Sequence, residues 1–222
     1  MPAQPKEVLV SRFMMRFLCV VAFLFAQVAT AQDFSADVIS TKGNSPTGQG
    51  KLFYTKNKAR WEISDRSNSQ MGPTALIVDQ GQGKSIVLLP QRRVYMDSMP
   101  WMNKTPAVAL FWHVDDVDNA CPQWKSAAEQ VKTDKNWGSC TKVGSDTVNG
   151  RSTIKYEGVS DKGEKGNVWV DTKLHCVIKA DNTSGGFELR NIQEGSQPAS
   201  LFEIPAGFTK FDMGNMMQQR PQ

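Results

Sequence analysis

Two blocks of short apolar segments, each cut off by turn chemistry, leave this chain few folds to choose from. The first block runs from residue 33 to 98 as "DFSADVIS", "GKLFYTK", "ARWEIS", "TALIVDQ", "KSIVLLP" and "RRVYMDS", punctuated by "KNK", "GQG" and "PQ". These segments are rich in β-branched and aromatic residues and too short for helices, so they read as strands. The second block follows residue 138 as "CTKVGSDTV", "RSTIKYEGV", "GNVWVDT", "LHCVIKAD" and "GFELRNIQ". Its first two members are joined by Asn149-Gly150, a pair suited to a type I′ turn in which both central residues take positive φ. Between the blocks, residues 123–133 show helical spacing, with Trp124, Ala127, Ala128 and Val131 on one stripe. The segment from Met99 to Val114 is apolar without a clear period: a second helix from Pro106 onward, or a loop packed on a sheet.

The predicted class is therefore mainly β (α+β), a single curved antiparallel half-barrel sheet of about eleven strands wrapped around one to three helices. "ALIV" and "IVLL" are apolar on both faces, so something must cover both sides of the sheet there.

The start of the chain carries a targeting signal. Arg16, the apolar run from Phe17 to Ala26 and the triplet Ala29-Thr30-Ala31 form a secretory signal peptide, with cleavage expected between Ala31 and Gln32. About ten unbroken apolar residues fall short of the ~20 that span a bilayer, and Leu18 before Cys19 argues against lipid attachment. The stretch before Met14 reads as unstructured leader, with Met14 or Met15 as alternative starts. The expected organisation is a leader and signal peptide over 1–31, one domain over 32–212 and a flexible tail over 213–222.

Cleavage would remove Lys6, Arg12, Arg16 and Glu7, taking the 26 basic and 22 acidic residues to 23 and 21. That near-balance, with no basic run longer than Arg92-Arg93, excludes a nucleic-acid footprint. Three cysteines remain. Export implies an oxidising compartment, and Cys121 and Cys140, both expected in loops flanking one short segment, are the expected disulfide. Cys176 alternates with Leu174 and Ile178 on an apolar strand face and is expected buried and unpaired.

Enzyme motifs fail one by one. Gly83-Lys84-Ser85 has Val78 where a phosphate-binding loop needs its first glycine, and joins two strands without a following helix. His113 and His175 lack metal-ligand spacing. No G-x-S-x-G elbow occurs, and Asp115-Asp116-Val117-Asp118 lacks the glycine and distal Glu of a calcium loop, so those acids are expected to cap the following helix. No catalytic residue, metal or cofactor is expected.

The elements "GKLFYTKNKARWEI", "IVDQGQGKSIVLLPQRRVYM", "TVNGRSTIKYEG", "GNVWVDTKLHCVIKAD" and "LRNIQEGSQPASLFEIPAGFTKF" resemble exported bacterial domains of unknown function (DUF4412-like) in the outer-membrane lipoprotein carrier superfamily, LolA/LolB-like, over roughly residues 33–212. The resemblance implies an open curved sheet with helices across its concave side and an apolar cavity between them. It also implies that "ELRNIQEG" is a late strand and "QPASLFEIPAGF" the chain crossing the sheet edge. Pro198 and Pro205 suit an edge or loop, with Leu201, Phe202 and Ile204 as apolar anchors. Arg60 stands where the carriers have a strand arginine followed by an aromatic; with Glu62 it equally suits a cross-strand pair facing solvent.

Two functions remain open. One is an exported, periplasmic or secreted binding domain sheltering a lipid, a lipoprotein acyl chain or another apolar ligand. Phe53, Trp61, Tyr95, Trp101, Phe111, Trp112 and Trp169 would line its cavity, and the Trp101–Trp112 segment would form a lid. The other is an envelope protein-interaction or stress-sensing domain whose core is filled by those same aromatics. Neither needs a membrane span after signal cleavage.

Overall fold

Alternation of apolar and polar residues makes the strands, and turn residues end them. The structure, a computed structural model, describes residues 32–42, 45–63, 72–97, 113–130, 138–160 and 163–211. The expected leader, signal peptide and cleavage site, most of the Met99–Val114 segment including Trp101, Phe111 and Trp112, Val131 of the helical stripe, and the tail over 213–222 lie outside them.

Six strands form the first block: β1 (Phe34–Lys42), β2 (Ser45–Thr55), β3 (Lys58–Ile63), β4 (Thr74–Asp79), β5 (Lys84–Leu89) and β6 (Val94–Asp97). Helix α1 (Cys121–Gln130) follows. The second block is β7 (Ser139–Val148), β8 (Arg151–Val159), β9 (Lys165–Asp171), β10 (Val177–Asn182) and β11 (Gly185–Glu194). A 3-10 turn, Ala199–Phe202, leads to the two-residue β12 (Thr209–Lys210). The twelve strands make one open curved sheet in the order β12-β6-β5-β4-β3-β2-β1-β11-β10-β9-β8-β7. Every pair is antiparallel except β12 beside β6, so the sheet is mixed, with one strand more than the eleven expected. Asn149 and Gly150 take φ of 50° and 76°, the geometry their turn type demands.

Register fixes the two faces, because directly paired residues point the same way. One row runs Ala36, Leu52, Trp61, Leu76, Val87, Met96 across six strands. On β1, Ser40 shares its side with Ala36 and pairs with Phe187, which continues through Ala180 and Val168 to Tyr156. Helix α1 packs Trp124 edge-on against the Tyr156 ring at 5.2 Å. The helix therefore lies on the face that carries Trp61. A cluster of Ile154, Tyr156, Val170 and Val177 with Val114 and Ala120 is the core beneath it.

In the first block the opposite face is apolar as well. Phe53, Ala75, Ile77, Ile86, Leu88 and Tyr95 meet Leu201, Phe202 and Phe208 of the closing segment. This accounts for strands that are apolar on both sides. The segment does more than cross an edge: it covers β3 and β4 and then pairs with β6. Phe202 is its buried anchor, whereas Ile204, expected as another, is exposed at 39%.

Three further expectations change. Cys121 opens α1 and Cys140 lies within β7, so neither is in a loop. Leu174 and Cys176 lie in the turn between β9 and β10, where His175 takes a φ of 56° that no strand allows. The acids before α1 fold on themselves instead of capping it, with Asp116 Oδ1 accepting the Asp118 N–H at 3.0 Å and Asp118 pairing with Lys142 at 2.7 Å.

Candidate functional site

The helix-bearing face changes character along the Ala36–Met96 row. Ala36 and Leu52 are 1% and 2% exposed, and beside them Phe34 stacks on Tyr54 with ring centroids 5.0 Å apart. Outward from them Trp61, Leu76, Val87 and Met96 are only partly buried. The Trp61 indole lies over Gly50, where a Cβ would come within 2.9 Å of its Nε1. A glycine is what lets this tryptophan lie flat on the sheet.

The other aromatics expected at a cavity are distributed differently. Phe53 and Tyr95 lie on the opposite face, packed with Phe202. Trp169 is also on that face but in the second block, paired with Lys155 and Lys179. Its Nε1 donates to Asp146 Oδ2 at 2.8 Å, and the two lysine Nζ atoms sit 4.9 and 4.4 Å from its ring centroid. That hydrogen bond, with a second from the Thr147 N–H, holds the Asp146 carboxyl below the ordinary carboxylate range. Of the four described aromatics, Trp61 alone lies on the Ala36–Met96 row, while Trp169 is buried in the core cluster that Trp61 packs against.

Arg60 faces away from Trp61. It donates from Nε to Glu62 Oε1 at 2.8 Å and from its guanidinium to the Leu201 carbonyl at 2.9 Å. With its side chain 13% exposed, it pins the closing segment to β3 and is not a pair facing solvent. Its neighbour Glu62 is on the same strand, not across from it.

Cys121 and Cys140 are joined, with Cα atoms 5.7 Å apart, tying the start of α1 to β7. Cys176 is free and buried. Burial pushes its thiol far up, and the nearby Asp171 carboxylate adds to this, so it is not a nucleophile. Tyr54 is likewise pushed up by burial, and its hydroxyl has no hydrogen-bond partner among the described residues. No group of three or more His, Cys, Asp or Glu that could hold a metal occurs among the described residues. No described helix is long and apolar enough to cross a membrane.

The fold joins two residues that sequence spacing keeps apart. His113 and His175 stack with centroids 5.2 Å apart and planes 8° from parallel. No local pattern announces this pair; it arises because the strap from His113 to Ala120 crosses the turn between β9 and β10.

No family model matches the chain, and no curated protein matches it. Solved structures do resemble it. An uncharacterized conserved protein from Thermus thermophilus aligns over 89% of this chain and 98% of its own, at 8% identity and a TM-score of 0.48. The Pseudomonas aeruginosa MucA/MucB complex aligns over 79% of this chain at 14% identity and a TM-score of 0.45, and this chain spans 56% of the matched one. A LolA superfamily protein, NE2245 from Nitrosomonas europaea, aligns over 78% of this chain and 94% of its own, at 8% identity and a TM-score of 0.34. Likenesses this distant carry no inference about what the chain binds.

Proposed function

We propose that this chain is an exported, non-enzymatic binding domain that takes the acyl chain of a lipid, or another extended apolar molecule, against the helix-bearing face of β3 to β6. The observation that carries the reading is the row itself: four large apolar side chains, Trp61, Leu76, Val87 and Met96, in line across neighbouring strands and only partly buried. A linear hydrocarbon matches such a row in shape and chemistry. It would gain about 0.8 kcal/mol for each methylene removed from water. The disulfide supports export, since such bonds persist in oxidising compartments. Within this reading Gln32 is the first residue of the mature chain, and Trp101, Phe111 and Trp112 join Trp61 in lining the ligand. Phe53, Tyr95 and Trp169 contribute to the fold, not to the ligand.

The test is native mass spectrometry after gentle purification, followed by titration with fatty acids of increasing length read by tryptophan fluorescence. Bound lipid adds mass, and affinity should rise roughly fourfold per methylene. Val87→Lys should abolish both signals while the circular dichroism of the sheet is retained. A chain without added mass and without length dependence would leave the alternative ahead, an envelope protein-interaction or stress-sensing domain with a self-filled core.

A further inference from the structure

The strap that leads into α1 is fastened to the sheet through Val114. This residue is 1% exposed and donates its N–H to the His175 carbonyl at 2.7 Å. Its own carbonyl lies 2.9 Å from His175 Nδ1. A carbonyl only accepts, so Nδ1 of His175 carries the hydrogen. His113 stacks on the same imidazole. From α1, the Gln123 side chain holds both neighbours of Val114: it donates to the His113 carbonyl at 2.7 Å and accepts the Asp115 N–H at 2.9 Å.

The receiving turn is firmly built. Asp171, 1% exposed, accepts from Arg151 and from the Lys173 and Leu174 N–H groups at 2.9 and 2.8 Å. Its own carbonyl accepts the His175 N–H at 3.0 Å. His175 is therefore a fixed post, and the strap is the part that can leave.

His113 is poorly placed to hold a proton. Its Nδ1 is buried without a hydrogen-bond partner among the described residues. Protonation would put there an N–H with no acceptor among the described residues, and a charge beside a second imidazole, and each is costly away from water. Three described groups face the ring. Asp115 Oδ1 is 3.8 Å from Nε2, but its side chain is 81% exposed and screened by water. Lys56, from the turn between β2 and β3, repels a cation, and so does His175 once charged. Burial first and His175 second hold His113 below the ordinary histidine range, with Asp115 opposing them.

We propose that the His113–His175 stack is an acid-opened clasp: protonation of His113 frees Val114 from the turn between β9 and β10, while the Cys121–Cys140 disulfide and Tyr156 keep α1 on the sheet. Opening lets His113 regain its ordinary affinity for a proton, which is the driving force. Because the closed form binds the proton less readily, its stability is complete above about pH 6.5, the unperturbed value, and is lost as pH falls from there towards the closed-form value. This device is independent of any ligand on the Trp61 row.

The experiment follows the Val114 amide by hydrogen exchange, corrected for intrinsic rates, from about pH 7.5 to about pH 5, alongside the ring-proton titration of His113 by NMR. The Ala120 amide, which donates to Tyr156 at 3.2 Å, serves as the internal control. Val114 should lose protection as His113 titrates, with Ala120 unchanged. In His113→Phe, which keeps a stacked ring without a proton, Val114 should stay protected at both ends of the range. The clasp is overturned if His113 titrates while Val114 holds, if Val114 and Ala120 loosen together, or if His113→Phe keeps the wild-type pH profile. Should that variant not fold, the three wild-type profiles decide the question.

Discussion

The two blocks of the sheet cover their apolar faces by opposite means. In the second block, Ile154, Tyr156, Val168 and Val170 form the apolar helix-bearing face, while on the other the buried Trp169 lies between Lys155 and Lys179 and donates to Asp146. Their cover is the adjoining chain: the strap and α1 precede β7 directly, and a disulfide across 19 residues ties them down. In the first block, β3 to β6 are apolar on both faces, and the opposite face is covered by a segment far along the chain. Leu201 meets Arg60 across 141 residues. Nearby cover closes a small loop and can be secured by a covalent bond; distant cover closes a large one and depends on burying apolar area. The second block should accordingly hold together locally, while the first relies on long-range packing.

The largest test removes the anchor of the distant cover. Phe202→Ala should cost about 3–5 kcal/mol, measured by denaturant unfolding, and amides of β3 to β5 should exchange faster than those of β8 to β10. Equal loosening of both blocks would show that the sheet acts as a single unit and would break the comparison.

Next comes the covalent tie. Cys121→Ser or Cys140→Ser should each cost about 3 kcal/mol, and the double variant no more than either. Additive melting losses would mean that the two thiols contribute separately. Tyr156→Phe probes the same cover without touching the disulfide. It removes the acceptor of the Ala120 N–H and the donor to the Val117 carbonyl, at 3.2 and 2.7 Å. A loss of about 1–3 kcal/mol is expected, with faster exchange confined to the strap and α1.

The smallest effect concerns the face that carries Trp169. The folded chain holds Asp146 below its ordinary range, so the stability from its bond to Trp169 is present above that range and lost as pH falls through the folded value. Asp146→Asn should flatten the acid end of a plot of melting temperature against pH. An unchanged acid limb would remove this carboxylate as a source of acid sensitivity.

Strand positions in both blocks were legible because alternation and turn residues act over a few positions. The Asn149-Gly150 turn, the Cys121–Cys140 pair and the burial of Cys176 follow from such local chemistry and from the oxidising setting expected of an exported chain. The aromatics were less legible. Phe53 and Trp61 look alike in composition, yet they point to opposite faces, because one residue's shift in a strand reverses the side chain. "LHC" reads as strand alternation, but the buried Asp171 carboxylate captures the Lys173 and Leu174 N–H groups and makes the segment a turn.

The sequence by itself therefore determined eleven of the twelve strands, most of the turns between them, the helix between the blocks and the cysteines fit to pair. Tertiary structure alone decided which chain covers which face, that Arg60 would hold the Leu201 carbonyl, and that two histidines 62 positions apart would stack. The physical reason is range. Backbone dihedrals and strand alternation depend on neighbours a few residues away, whereas burial is satisfied by whichever apolar surface the completed sheet brings near, however distant in the chain.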